Sequence, residues 1–181
     1  MLFIQMTGLS GSGKSTIALA AKGIIMKKGF KIEVIDGDQF RRTLFKELQY
    51  SPEHRHENIR RLAFICDLLT RNGVITLLAA INPYESIRKE IVERYSPVKT
   101  VWINCDLSIL IDRDTKGLYS RALLPANNPL HLSNLTGLND PYDMPQNADL
   151  IINTGEETVS DSTDRLVAFI LSHIEAGGHP Q

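Results

Sequence analysis

The chain's 181 residues, 43% hydrophobic and 23% charged, predict one soluble globular domain with a sizeable core and exclude a disordered chain. A net charge of -1 excludes the global basic field of a nucleic-acid binder, and no apolar run approaches the roughly 18 residues that would predict a membrane partner. Two cysteines in separate apolar runs, Cys66 and Cys105, lack metal-ligand spacing and read as buried thiols; with no basic leader and cleavage site at the N-terminus, a cytoplasmic protein is expected.

In chain order, an apolar strand over residues 2–6 runs into GLSGSGKS at 8–15, and a helix is predicted over 16–28. A second strand over 32–36 ends in Asp36-Gly37-Asp38 and leads to a helix over 39–46. The next helix, over 55–71, places Ile59, Leu62, Ala63, Cys66 and Leu69 on one stripe at i, i+3, i+4 spacing. A strand over 74–80, a helix over 83–95 and a strand over 98–103 follow. Residues 112–146 show no periodic element and contain Pro125, Pro129, Pro141 and Pro145; beside a phosphate site, a loop this long predicts a mobile lid. A short strand over 150–152, a helix over 161–174 and a frayed end over 176–181 complete the chain. Strands alternating with helices predict a single three-layer α/β/α domain over 1–181, with a mainly parallel central sheet and the lid loop set along the strand C-termini.

The segment 8–15 fits G-x-x-x-x-G-K-[ST] and lies between a strand and a helix start, the context this phosphate loop requires. Backbone N–H groups across Gly8, Ser10, Gly11, Ser12 and Gly13 would point at phosphate oxygens, helped by the helix dipole that begins near Thr16. Lys14 would reach the β- and γ-phosphates, and the Ser15 hydroxyl would hold Mg²⁺. A glycine-rich helix cap would account for the glycines but not for Lys14 beside Ser15. A nucleoside triphosphate is therefore expected, with the phosphate acceptor left open.

The acceptor side is expected at Asp36-Gly37-Asp38, on the ligand edge of the sheet. Either carboxylate could orient an acceptor hydroxyl or help hold Mg²⁺; Asp38 could instead cap the following helix. Aspartate is a weak base toward an alcohol, so Asp36 would align the hydroxyl and take its proton late. Arg41 lies one helical turn beyond Asp38, and Arg55 and Asn58 lie one turn apart. Two arginines and an amide near a carboxylate suit an anionic acceptor that carries an alcohol. His54 and His56 read as solvated on a polar face, although Arg42, Lys46, Arg60 and Arg61 in the same stretch could equally form an ordinary solvated surface.

These pieces together resemble the adenylyl-sulfate kinase (APS kinase) family of P-loop kinases almost end to end: GLSGSGKST at 8–16, DGDQFR at 36–41, SPEHRHENIRR at 51–61, INPY at 81–84, RDTKGLY at 113–119 and LTGLNDPYD at 135–143. The resemblance implies Mg²⁺-dependent transfer of phosphate from ATP to the ribose 3′-hydroxyl of adenylyl sulfate. It implies that Asp36 is the catalytic aspartate, that Asp38, Arg41, Arg55 and Asn58 contact the sulfonucleotide, and that Ile81 contacts it from the loop after the third strand. Tyr50 stands where the family has a Phe stacked on the substrate adenine, and keeps the ring. Arg113 is implied near ATP and Lys116 near the acceptor. A cytoplasmic homodimer is implied as well.

Three positions depart from the family pattern. Leu135 replaces the Phe of the F-T-G element that covers the adenine from the other side, and would cover it without a π-face. The stretch between Tyr119 and Thr136 is about five residues longer than the common form. Asn82 replaces a Ser before the Pro-Tyr, so a phosphorylation known at that Ser is not possible here. A phosphate-loop kinase for another small hydroxyl acceptor is the alternative, which the matches at 113–119 and 135–143 oppose. A guanine-reading switch would carry N-K-x-D, and the chain has no Asn-Lys pair. A regulatory domain without turnover would be expected to lack Lys14 or Asp36.

Overall fold

A computed structural model describes residues 1–95 and 97–175; the frayed end expected over 176–181 lies outside the described residues. Five parallel strands form one sheet in the order β2-β3-β1-β4-β5. These are β1 (Phe3–Thr7), β2 (Ile32–Asp36), β3 (Ile75–Ala79), β4 (Val98–Asn104) and β5 (Leu150–Asn153). Register aligns their ends: Asp36 pairs with Ala79, and Thr7 with Trp102. The pleat sends alternate residues to opposite faces. Ile4, Met6, Leu77 and Ile103 pack with Ile17 and Ile25 of α1 (Lys14–Lys27) and Leu166 and Ile170 of α7 (Val159–Glu175). Phe3, Ile35 and Leu78 face α3 (Pro52–Arg71) and α4 (Glu85–Arg94) through Ile59, Leu62, Ile87 and Ile91. Each such fully buried side chain contributes about 1.5–3 kcal/mol. The three layers expected from the sequence are therefore present. Among the described residues no helix is long and apolar enough to cross a membrane.

Three local differences from the sequence expectations have physical causes. The helix after β2, α2 (Gly37–Thr43), begins two residues early because Asp36, not Asp38, caps it: its carboxylate accepts from the N–H groups of Asp38 and Gln39 at 2.9 Å each. Helix α3 begins at Pro52 rather than 55, since Ser51 caps it and proline suits the first turn. A short helix, α5 (Leu107–Arg113), which the sequence did not predict, runs into the segment expected to lack regular structure, and a second, α6 (Leu118–Ala122), lies inside it. At seven and five residues they are too short to show a repeated apolar period. They are organised by a third cluster in which Leu110, Tyr119, Ala122 and Leu135 are buried against Leu9 and Leu138.

A buried polar network ties the sheet to the loops above it. Gln5, fully buried in β1, donates to Thr100 Oγ1 (2.9 Å) and to the Arg88 carbonyl (3.1 Å). Asn82 donates to Gln5 Oε1 (3.1 Å), and the Arg88 guanidinium donates to the carbonyls of Asn82 (2.7 Å) and Asp143 (2.5 Å). Satisfying these groups removes a desolvation penalty of about 1–3 kcal/mol for each. It also fixes the loop after β3 and the 140–143 segment over the C-terminal end of β1.

Candidate active site

The phosphate loop opens at the end of β1. Gly8 passes so close to β4 that a Cβ would lie 2.3 Å from the Ile103 carbonyl, and Gly13, with φ of 96°, makes the left-handed turn into α1. Lys14 is only 8% exposed and donates to the carbonyls of Gly8 (2.8 Å) and Leu9 (2.7 Å). Burial, and then the charge of Lys116, push its ammonium down to about 7. Among the described residues it has no paired carboxylate, so an incoming polyphosphate would supply the missing counter-charge. A cavity of about 230 Å³ in front of it is lined by Ser10, Gly11, Gly13, Ser15 and the exposed Thr16 on one side. Asp36, Asp38, Ile81 and Lys116 line the other side. Ser12 is buried beneath, its carbonyl accepting from Thr154 Oγ1 (2.9 Å).

Asp36 joins the two halves of the crevice. One carboxylate oxygen caps α2, as above; the other accepts the Ser15 hydroxyl at 2.5 Å. A hydroxyl and a carboxylate, both hard oxygen donors, match what Mg²⁺ takes from a protein when phosphates and water complete its shell. Among the described residues no group of three or more His, Cys, Asp or Glu could form an all-protein cage. Asp38, relieved of capping, receives Lys116 from the lid at 2.7 Å. Burial raises the Asp38 carboxyl, but the Lys116 hydrogen bond and charge outweigh it and hold it below the usual range.

Tyr50 is 55% exposed, with the guanidinium groups of Arg41 and Arg55 at 4.9 and 5.6 Å from its ring centre. Arg41 donates to the carbonyls of Leu48 (3.0 Å) and Gln49 (2.6 Å). Arg55, expected to fork an anion, is buried and committed within the protein. It donates to Tyr50 O, Thr136 Oγ1 and Asn134 O, each at 2.8 Å, and pairs with Asp140 at 2.7 Å. Asn58 is 5% exposed, and its side-chain oxygen has no partner. Leu135, expected to cover a base, is 5% exposed and lies inside the third apolar cluster with Leu110, Tyr119 and Ala122. His56, expected to be solvated, is half-buried: it meets the Tyr84 ring edge-on at 4.9 Å, with Nε2 buried.

Arg113 donates to the Thr154 carbonyl (3.1 Å), which places it beside the phosphate loop. The Tyr119 hydroxyl donates to the Ser10 carbonyl (2.8 Å), and burial pushes that phenol up to about 12, so it remains a donor. Sequence reasoning gave no role to Thr7, Asp140, Tyr142 or Thr154. Thr7 is the hub among them: its hydroxyl lies 2.8 Å from the Ile81 carbonyl and 3.0 Å from the Tyr142 hydroxyl, while Gly8 N–H donates to the same Ile81 carbonyl (3.3 Å). The available signal was position, since Thr7 and Thr154 directly follow or end strands at the ligand edge.

The family model described as adenylylsulphate kinase matches residues 1–153. The adenylyl-sulfate kinase of Microcystis aeruginosa is 43% identical over 163 residues, covering 90% of this chain and 87% of that protein. The adenylyl-sulfate kinase of Halothermothrix orenii is 38% identical, covering 92% and 88%. Among solved structures, the Mycobacterium tuberculosis APS kinase CysC in complex with AMPPNP and APS superimposes with a TM-score of 0.84. It is 30% identical, over 93% of this chain and 96% of that one.

Proposed function

The chain belongs to the adenylyl-sulfate kinase family, and from that premise we propose how its residues move the γ-phosphoryl group of ATP to the ribose 3′-hydroxyl of adenylyl sulfate, giving 3′-phosphoadenylyl sulfate and ADP. The observation that carries this reading is the 2.5 Å contact between Ser15 and Asp36, which brings the phosphate loop and the acceptor edge to one point. Gly8, Ser10, Gly11, Ser12, Gly13 and Thr16 shape the phosphate cradle, and Arg113 closes it from the side of α5. Lys14 bridges the phosphates and neutralises charge that builds during transfer. Ser15, with Asp36 beside it, would hold Mg²⁺, which would supply charge neutralisation to the phosphate oxygens.

Asp36 aligns the acceptor hydroxyl and takes its proton late in the transfer, which needs positioning more than strong base catalysis. Tyr50 stacks on the adenine. Arg41 and the unpaired oxygen of Asn58 contact the sulfonucleotide, and Ile81 lines its path. Arg55 acts through the 134–140 segment, which it holds against the crevice, with Leu135 backing that segment. Asp38 and Lys116 release one another as the acceptor enters. The working enzyme is a cytoplasmic homodimer in this reading. ADP release measured with Mg²⁺-ATP and adenylyl sulfate, beside adenosine, AMP and other nucleosides, tests it: strong preference for adenylyl sulfate is expected, and no preference would overturn it in favour of another hydroxyl acceptor.

A further inference from the structure

An open cavity of about 690 Å³ lies around Arg41 and Tyr50 of the acceptor wall. Arg42, Lys46, Leu48 and Asn134 also line it, and among the described residues no carboxylate does. Of the nearby acids, Glu47 pairs with Arg61 and Asp38 with Lys116, and the exposed Glu53 is hydrogen-bonded to Ser51. Among the described residues the exposed side chains of Arg42 and Lys46 make no ion pair or hydrogen bond. Arg55, the cation most buried in this region, is held by Asp140 and three oxygen acceptors. The uncommitted positive charge around this cavity is therefore that of Arg42 and Lys46, beside the partly committed Arg41; on α2, Arg42 lies one helical turn beyond Asp38, which lines the crevice.

We propose that Arg42 and Lys46 are capture residues for the anionic phosphosulfate end of the acceptor, drawing it into the crevice and favouring it over neutral nucleosides. The proposal rests on the adenylyl-sulfate reading above. Two exposed cations beside a crevice raise the rate of encounter with an anion and lose that effect as salt screens them. They touch no reacting atom, so their contribution belongs in KM for the acceptor and not in kcat.

The test is steady-state kinetics of the Arg42→Gln/Lys46→Gln double variant across a salt series. KM for adenylyl sulfate is expected to rise about three- to tenfold, with kcat at saturating acceptor and KM for ATP retained and with a flatter dependence of kcat/KM on salt. The charge-preserving Arg42→Lys/Lys46→Arg exchange is expected to keep most of the acceptor affinity. An active double variant with unchanged KM and salt slope would overturn the proposal. So would a fall in kcat at constant KM, or an equal loss in the charge-preserving exchange. A wild-type enzyme that transfers nothing to adenylyl sulfate would instead overturn the substrate reading itself.

Discussion

Asp36 carries two duties on two oxygens, and the duties separate by substitution. Asp36→Asn keeps an oxygen for the α2 N–H groups and loses the carboxylate that faces Ser15. Its kcat is expected to fall about 10²- to 10⁴-fold, with stability nearly kept. Asp36→Ala loses the cap as well, at about 1 kcal/mol of stability. Single-turnover phosphate transfer and urea midpoints read the two effects, and a near-wild-type kcat in the Asn variant would remove Asp36 from the reaction. Lys14 gives a pH prediction. Burial holds its ammonium near 7 in the free protein, while a bound polyphosphate raises it. At pH 8 ATP binding should therefore take up most of a proton, and affinity should weaken as pH rises above 7. Calorimetry in two buffers of different ionisation heat measures this; zero uptake would mean that Lys14 is already charged in the free site. The same shift has a stability consequence of opposite sense. The unfolded chain holds the proton up to its ordinary value of 10.5, so this group makes the ligand-free fold more stable as pH rises from 7 toward that value.

At the scale of elements, the helices and strands flanking the site follow from periodicity, and their beginnings follow from caps. The start of α3 was legible in Ser51-Pro52, which precedes the apolar stripe by two turns; the stripe alone pointed to a later start. The start of α2 was not legible, because Asp36 and Asp38 are both plausible caps and only the backbone path of the strand end chooses between them. The segment 112–146 was read as a loop because α6 within it is short and its order comes from contacts with Leu9 and Leu135 rather than from its own pattern. Leu135→Ala should test that organisation. It removes a buried side chain from a small cluster and is expected to cost about 2–4 kcal/mol locally, raising KM for both substrates and speeding amide exchange across 118–138. Unchanged exchange there would show that the cluster does not organise the lid.

For the whole molecule, the parallel sheet and the phosphate loop were readable because strands and loop motifs are local in sequence. The partners that complete the site were not. Arg55 with Asp140 is a pairing 85 positions apart by their numbers, and Thr7 with Tyr142 spans 135; no spacing rule joins such residues. That is why the sequence pointed to an anion contact for Arg55 without showing the bonds that tie it to Asn134, Thr136 and Asp140. The third cluster also has a thermodynamic implication. A lid that already has its own apolar interior has little conformational entropy left to lose when it settles on a nucleotide, and little fresh apolar area to withdraw from water. The heat-capacity change of nucleotide binding should then be that of a preformed jaw shutting, smaller than the signature of a loop that folds around its ligand.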